Sequence, residues 1–343
     1  MSARSTDAAA AHEHVIPIAD QAIAQAVFGP LHRHLALIQE AFRTPGARGA
    51  GAHRVAIDAR GGEVVVRGPA GADADFQRVD RIVSALVDLY ARKRKIAEGD
   101  VLAAIAMTDG ERPRGPVELQ QLGGLTLRTP RQAHYVEALR DPAIDLIFGV
   151  GPAGTGKTFL AVAAAVEAMR KEAIDRIVVT RPAVEAGERL GFLPGDLAEK
   201  VDPYLQPIWD AFRSQMGENE LKGRRDRRQI EVAPLAFMRG RTLSNAFVIV
   251  DEAQNATILQ MKMVLTRLGE GSRMVVTGDP TQTDLPSSVR SGLAHALSIL
   301  EGLPGVETVR FAAQDVVRHR LVARVIEAYD ADDRRRRGAP GDA

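Results

Sequence analysis

Apolar residues in the first third of the chain follow two different spacings. From Leu31 to Phe42 they recur at helical spacing, and the glycine-rich stretch "TPGARGAG" then ends the helix. The segments "HRVAIDA" and "GGEVVVRG" carry alternating apolar residues, which predicts two strands joined by a Gly-Gly turn. Helical spacing returns from Phe76 to Tyr90. The pattern therefore predicts a small α+β module with the order α-β-β-α.

The second part of the chain alternates unbroken apolar runs with helical patterns. The runs at residues 144–150, 247–250 and 273–278 are typical of parallel strands that are buried on both faces. Their regular succession predicts an α/β domain with a mainly parallel sheet and flanking helices.

Changes in composition set the predicted boundaries. Residues 1–12 and 331–343 are small and polar or highly charged, which predicts disordered tails. The small module is assigned to residues 13–108 and the α/β domain to residues 126–330. Between them, residues 109–125 are rich in Gly, Pro and charge, so we predict a linker with one short strand.

Composition also excludes several classes of function. Lys and Arg number 45 against 44 Asp and Glu, a net charge of +1, so any nucleic-acid surface must be local. The chain has no cysteine, which excludes disulfides and thiolate catalysis. No run of about 18 apolar residues occurs, and the N-terminal stretch lacks the core of a signal peptide. We expect a cytoplasmic protein that does not enter a membrane.

Residues 151–158, "GPAGTGKT", follow a predicted strand and precede a predicted helix. They match G-x-x-x-x-G-K-[ST], the pattern of a phosphate-binding loop, in the context that this pattern requires. Main-chain N–H groups there bind phosphate oxygens, Lys157 reaches the terminal phosphates, and the Thr158 hydroxyl binds Mg²⁺. The predicted nucleotide-binding residues are Gly151, Pro152, Ala153, Gly154, Thr155, Gly156, Lys157 and Thr158.

Two further strand ends carry candidate catalytic residues. Asp251 and Glu252 follow the apolar run 247–250, and ligands bind at the carboxyl ends of the strands in open α/β sheets. We predict that Asp251 holds Mg²⁺ and that Glu252 activates the attacking water. Asp279 and Gln282 follow the next run, where they are placed to sense the terminal phosphate. An ordinary Asp-Pro turn also explains Asp279.

From Thr129 to Tyr329 the chain resembles the PhoH-like ATPase family. The phosphate loop, "VVTRPAVEAGERLGFLPGDLAEKVDPYLQP", "PLAFMRGRTL", "DEAQN" and "TGDPTQTDLP" carry the resemblance. The ATPase domain of this family is a P-loop NTPase similar to the first RecA-like domain of superfamily 1 helicases. The resemblance implies that Gln132 in "TPRQ" reads adenine and that ATP is hydrolysed with Mg²⁺. It also implies a role in RNA metabolism or ribosome maturation, with an endoribonuclease as a partner.

The resemblance further points to individual arginines. Arg181 corresponds to a helicase element that contacts the nucleic-acid backbone, and Arg239 and Arg241 are further candidates for RNA contact. Arg318 stands where the family keeps an arginine that would neutralise charge on the terminal phosphate, in the same chain or a neighbouring one. An exposed salt bridge is the alternative for Arg318. The basic run 222–228 is predicted to be a solvated hairpin tip.

The leading segment "FGPLHRHL" resembles the N-terminal module of the family, which is KH-like. A KH domain holds the RNA backbone with a GxxG loop between two helices. In this chain "GARG" at residues 46–49 has the letters of that loop but precedes a strand. RNA binding and a purely structural or oligomerising role therefore both remain open for this module.

Two functions follow from these patterns. The first is a Mg²⁺-dependent ATPase that is stimulated by RNA. The second is a nucleotide-switched adaptor that assembles a partner such as an endoribonuclease without unwinding RNA itself. No second RecA-like domain follows the first, so we expect a homo-oligomer to supply the missing face. The chain has no N-K-x-D guanine-reading motif, which favours ATP over GTP.

Overall fold

A computed structural model describes most of the chain, namely residues 12–44, 52–109, 119–182, 197–317 and 325, with only the backbone described for 197–204. The chain divides into two compact units, residues 1–133 and 134–343. The domain boundaries drawn from composition stay a prediction. Within the described segments, none of the helices has the length and apolar character needed to cross a membrane.

The first unit is built on a small antiparallel sheet. Its elements in chain order are β1 (His12–Pro17), α1 (Gln21–Phe28), α2 (Arg33–Glu40), β2 (Ala56–Arg60), β3 (Glu63–Gly68), α3 (Asp73–Lys93), α4 (Glu98–Met107), β4 (Gln121–Leu122) and β5 (Leu125–Thr126). The three longer strands lie in the order β1-β3-β2, and β4 and β5 form a separate hairpin. Apolar residues of the sheet and the helices share one buried core.

This module contains the predicted α-β-β-α order and extends it. Strand β1 and helix α1 precede that order and α4 follows it, so the full order is β-α-α-β-β-α-α. The polar residues His12, Glu13 and His14 form the first half of β1, which leaves too few apolar residues for a periodic signal. The strand forms because it pairs with β3 along its whole length.

Helix α2 begins two residues later than its predicted start. Leu31 and His32 have φ angles of 49° and 56°, a left-handed conformation that residues other than glycine rarely adopt. Residues 29–32 therefore form a turn between α1 and α2. The "GARG" segment that we considered as an RNA-binding loop lies outside the described residues.

The second unit is an α/β domain. Its elements are α5 (Pro130–Arg140), which begins in the first unit, β6 (Leu146–Val150), α6 (Lys157–Arg170), β7 (Arg176–Arg181), α7 (Leu197–Asp226), β8 (Ile230–Pro234), β9 (Ala246–Val250), α8 (Ile258–Leu265), β10 (Arg273–Gly278), α9 (Gly292–Leu300) and β11 (Val306–Arg310). The strands form a sheet in the order β11-β6-β10-β9-β7-β8, and every neighbouring pair is parallel. The predicted fold class is confirmed.

The register of the sheet determines where the chemistry lies. All five residues of β9 are buried, as are the central residues of β6, β7 and β10. Because all six strands are parallel, their carboxyl ends lie at one edge of the sheet. The loops after β6, β9, β7 and β10 therefore leave the sheet side by side.

The basic run 222–228 is not a hairpin tip, because α7 continues to Asp226 and only the last residues form the turn into β8. The Arg225 guanidinium lies 4.2 Å from the centre of the buried Trp209 ring, a cation–π contact that stabilises this helix end. In the predicted linker, residues 110–118 lie outside the described segments, and β4 and the first residue of β5 follow.

Candidate active site

The phosphate loop connects β6 to α6. Gly151 has a φ of 135°, and a Cβ at this position would lie 2.3 Å from the main-chain oxygen of Phe311, so only glycine fits. Its N–H donates to the oxygen of Gly278 at 3.1 Å, which ties the loop to the end of β10. Gly156, with a φ of 88°, precedes the first residue of α6. The loop therefore presents the N-terminus of a long helix at the carboxyl edge of the sheet.

Lys157 is folded back onto this loop. Its Nζ donates to the main-chain oxygens of Gly151 and Pro152 at 2.6 and 2.7 Å. Burial lowers the pKa of Lys157, and the charges of Asp279, Glu252 and Asp251 oppose that shift. The ammonium group thus lies inside the loop, where the terminal phosphates of a bound nucleotide would replace the two carbonyl oxygens.

Thr158 and Asp251 are in direct contact. The Thr158 hydroxyl donates to Asp251 Oδ1 at 2.6 Å, and the Thr277 hydroxyl donates to the same oxygen at 2.8 Å. Asp251 is buried at the end of β9. Thr277, on the neighbouring strand β10, was not among the predicted site residues. Its only sequence signal is a hydroxyl at the end of the apolar run 273–278.

The residues present suit Mg²⁺. A threonine hydroxyl and one carboxylate are hard oxygen donors, and Mg²⁺ usually takes one or two carboxylates together with water and substrate phosphates. Among the described residues, no group of three or more His, Asp or Glu could hold a metal ion by itself. A cation here would therefore need the phosphates of the nucleotide to complete its coordination.

Glu252 adopts an unusual backbone conformation and has two side-chain partners. Its φ is 51°, in the left-handed region, where non-glycine residues are strained and cluster at functional sites. Oε1 lies 3.2 Å from Arg181 Nη2, and Oε2 accepts a hydrogen bond of 2.5 Å from Gln254 Nε2. The Oε1 atom of Gln254 accepts from the N–H of Asp279 at 3.1 Å. Gln254 therefore links Glu252 to the end of β10, a connection that sequence reasoning missed.

The segment after β10 is held by further side-chain hydrogen bonds. Asp279 is buried, and its Oδ1 accepts from the N–H and the hydroxyl of Thr281 at 3.0 and 2.7 Å. Asp279 thus stabilises the turn that carries Gln282. Asn255 Nδ2 donates to Asp284 Oδ2 at 3.0 Å, and the N–H of Asp284 donates to Asn255 Oδ1 at 2.8 Å. These two bonds join the segment after β9 to the segment after β10.

These three segments enclose one cavity of about 260 Å³. It is lined by Ala153, Gly154, Gly156, Lys157, Thr158, Phe159, Asp251, Glu252, Gln254, Gly278, Asp279 and Gln282. The structure therefore brings together most of the predicted phosphate, metal and catalytic residues. A larger cavity of about 670 Å³ lies at the opposite, amino end of the sheet, around Arg273 and Phe247.

Other predicted residues lie outside this cavity. Gln132 belongs to the first unit, where its side chain accepts from the N–H of Arg128 at 2.8 Å, and its role in reading adenine stays a prediction. Arg239 is exposed. Arg241 donates to both oxygens of Glu231 at 2.7 Å, and this pairing lowers the pKa of Glu231.

Arg318 lies outside the described residues, so its predicted role at the terminal phosphate stays a prediction.

Comparison with known proteins identifies close relatives. The family described as PhoH-like protein matches residues 124–330. The PhoH-like protein of Bacillus subtilis (strain 168) is 49% identical over 268 residues, which cover 76% of this chain and 83% of that protein. The PhoH-like protein of Mycobacterium tuberculosis (strain ATCC 25618 / H37Rv) is 48% identical over 266 residues, with coverage of 76% and 75%.

Among solved structures, the SWI2/SNF2 ATPase core of Sulfolobus solfataricus in complex with dsDNA is 17% identical and has a TM-score of 0.32. The similarity covers 48% of this chain and 34% of that chain. At this level of similarity it does not bear on function.

Proposed function

The chain belongs to the PhoH-like protein family, and on that premise we propose that it binds ATP with Mg²⁺ and hydrolyses it to ADP and phosphate. One observation carries the proposal, namely that the phosphate loop, the acidic pair Asp251 and Glu252, and the segment after β10 line a single cavity. Phosphoryl transfer to water needs positioned phosphates, a metal site and a group that orients the water, and little covalent chemistry from the protein.

Each of these tasks has a residue in the cavity. The main-chain N–H groups of residues 153–158 hold the phosphate oxygens, and Lys157 contacts the terminal phosphates. Thr158 and Asp251 would hold Mg²⁺, which when bound neutralises charge on the β- and γ-phosphates. Glu252 orients and deprotonates the attacking water, while Gln282 contacts the terminal phosphate.

We further propose that RNA stimulates this activity and that the protein acts in RNA metabolism or ribosome maturation. The position of Arg181 beside Glu252 supports a connection between a backbone-binding arginine and the hydrolytic residue. The order of elements in the first unit supports a KH-like module, because residues 29–32 join two helices where a KH domain holds RNA. The turn has glycine at Gly29 but histidine where a second glycine would stand.

Phosphate release tests the ATPase proposal. The purified full chain should release phosphate from ATP only when Mg²⁺ is present, and poly(U) should increase the rate. Removing Mg²⁺ with EDTA should stop the reaction. An ATP turnover that is indistinguishable from the no-protein control, under conditions in which the chain is folded, contradicts the proposal.

The adaptor function predicts a different result. If the chain assembles a partner such as an endoribonuclease without acting on RNA, poly(U) should neither bind nor change the turnover. The partner should instead copurify with the Glu252→Gln variant in ATP and be released in ADP. The expected homo-oligomer is tested by light scattering in the same two nucleotide states.

A further inference from the structure

Arg181 and Glu252 meet because neighbouring strands end together. In the pairing of β7 with β9, Thr180 lies opposite Val250, and the N–H of Asp251 donates to the oxygen of Thr180 at 2.8 Å. The next residues of both strands therefore leave the sheet side by side. Nη2 of Arg181 lies 3.2 Å from Oε1 of Glu252.

Glu252 contacts both the cavity and Arg181. It lines the cavity that we assign to the nucleotide, whereas Arg181 is not among the described residues that line it. One carboxylate oxygen is paired with Arg181 and the other accepts from Gln254. Gln254 is buried and bonded to the main chain of Asp279, so it is a fixed partner. Arg181 is the partner of Glu252 that an external ligand can compete for.

The exposure of the pair permits such competition. The side chains of Arg181 and Glu252 are 26% and 38% exposed. Ion pairs that reach solvent are weak, so a competing anion needs little energy to displace the carboxylate. A phosphate group offers a guanidinium the same type of acceptor as a carboxylate does. A phosphodiester can therefore replace Glu252 at Arg181.

We propose that Arg181 is a positioning residue that couples RNA binding to hydrolysis. Without RNA, Arg181 holds Glu252 in the ion pair. When a phosphodiester of single-stranded RNA binds Arg181, the Glu252 carboxylate is released from that pair and is free to orient the attacking water. This inference rests on the proposed RNA-stimulated ATPase, and it names the contact through which the stimulation travels.

A double-mutant cycle in RNA binding tests the pair without any hydrolysis. Binding of fluorescein-labelled oligo(U) to the nucleotide-free full chain is measured by anisotropy for wild type, Glu252→Gln, Arg181→Gln and the double variant. Glu252→Gln should bind about two- to fivefold more tightly because its carboxylate no longer competes for Arg181, and Arg181→Gln more weakly. In the Arg181→Gln background, the gain from Glu252→Gln should disappear.

A matched pair controls for the general effect of removing a negative charge. Glu301 and Arg310 form an exposed ion pair of 2.8 Å at the outer strand of the sheet. Glu301→Gln should leave the affinity for oligo(U) unchanged. A gain from Glu252→Gln that persists without Arg181, or no gain at all, overturns the proposal.

Turnover provides the second measurement. Arg181→Gln should raise the RNA-free rate of phosphate release by about two- to fivefold and should no longer respond to poly(U). If Arg181 only supports Glu252, the RNA-free rate falls instead, which overturns the inference. A wild-type chain that hydrolyses no ATP refutes the proposed function, while the binding cycle still tests the ion pair.

Discussion

At the carboxyl end of the sheet, Asp251 is held by other side chains, with Thr158 and Thr277 both donating to it. At the amino end, Arg273 is held by the main chain. Arg273 donates to the main-chain oxygens of Leu139, Ile144 and Asp141. Asp251 can exchange these partners for a ligand, whereas Arg273, which donates to carbonyl groups of the chain before β6, stabilises the fold.

Cavity volume alone would assign the ligand to the amino end of the sheet. The amino-end cavity has about 670 Å³ and the carboxyl-end cavity about 260 Å³. Burial lowers the pKa of Arg273 at the larger cavity, but each of its three side-chain nitrogens already donates to a carbonyl group. We therefore assign the chemistry to the carboxyl end from the partners of its polar groups and not from the cavity volume.

Among the substitutions at the two ends of the sheet, Lys157→Ala should have the largest effect on ATP binding. It removes the ammonium group from the phosphate loop, so the affinity for ATP should fall by about hundredfold or more and turnover should be lost. Binding of a fluorescent ATP analogue and phosphate release measure the two effects. Retained ATP affinity in a folded Lys157→Ala protein contradicts the assignment of the carboxyl end.

Glu252→Gln separates binding from chemistry within the carboxyl end. The variant keeps the shape of the side chain but cannot take a proton from water, so the catalytic rate should fall by about 10²–10⁴-fold. The affinity for ATP should stay within about twofold of wild type, because the phosphate loop is unchanged. Single-turnover kinetics measure the rate. A variant that hydrolyses ATP at the wild-type rate excludes Glu252 as the water-activating residue.

Arg273→Leu tests the amino end. Loss of charged hydrogen bonds to three carbonyl groups should lower the free energy of unfolding by about 2–4 kcal/mol. The affinity of the remaining folded protein for ATP should not change. Urea denaturation and analogue binding measure the two quantities, with Arg310→Gln as the control for an exposed arginine. Loss of ATP binding without loss of stability would indicate that ATP binds at the amino end of the sheet, which contradicts our assignment.

The smallest expected effect comes from the Arg241–Glu231 pair near the sheet edge. Its hydrogen bonds lower the pKa of Glu231 in the folded state, so the pair stabilises the fold at pH values above the unfolded pKa of about 4.3. That stability is lost as the pH falls through the lower, folded-state pKa. Glu231→Gln should therefore cost about 0.5–1 kcal/mol at neutral pH, since solvent reaches the pair.

At pH values below the folded-state pKa, wild type and Glu231→Gln should converge in the free energy of unfolding. A difference that is constant with pH shows that packing, and not the ion pair, causes the effect.

The sequence predicted the second unit well because its signals are local. Apolar runs identified β6, β9 and β10, and the phosphate loop has a fixed spacing between a strand and a helix. The carboxyl ends of parallel strands must share one edge, so Asp251 could be placed near Lys157 without coordinates. These predictions depend on few residues and on one topological rule.

Other features depend on contacts between distant residues. Strand β1 is half polar and forms through pairing with β3, which spacing does not reveal. The partners of Arg181 and Arg241 are Glu252 and Glu231, and no local pattern specifies which carboxylate an arginine meets. The sequence could nominate these arginines for RNA binding, but only the structure shows which carboxylate each one meets and that the Arg241 pair is bidentate.

A structure of the protein with a non-hydrolysable ATP analogue and Mg²⁺ locates the nucleotide without relying on kinetics. We expect the phosphates to contact the main-chain N–H groups of residues 153–158 and Mg²⁺ to lie beside Thr158 and Asp251. An analogue bound in the larger cavity around Arg273, with none at the carboxyl end of the sheet, refutes the assignment of the nucleotide site.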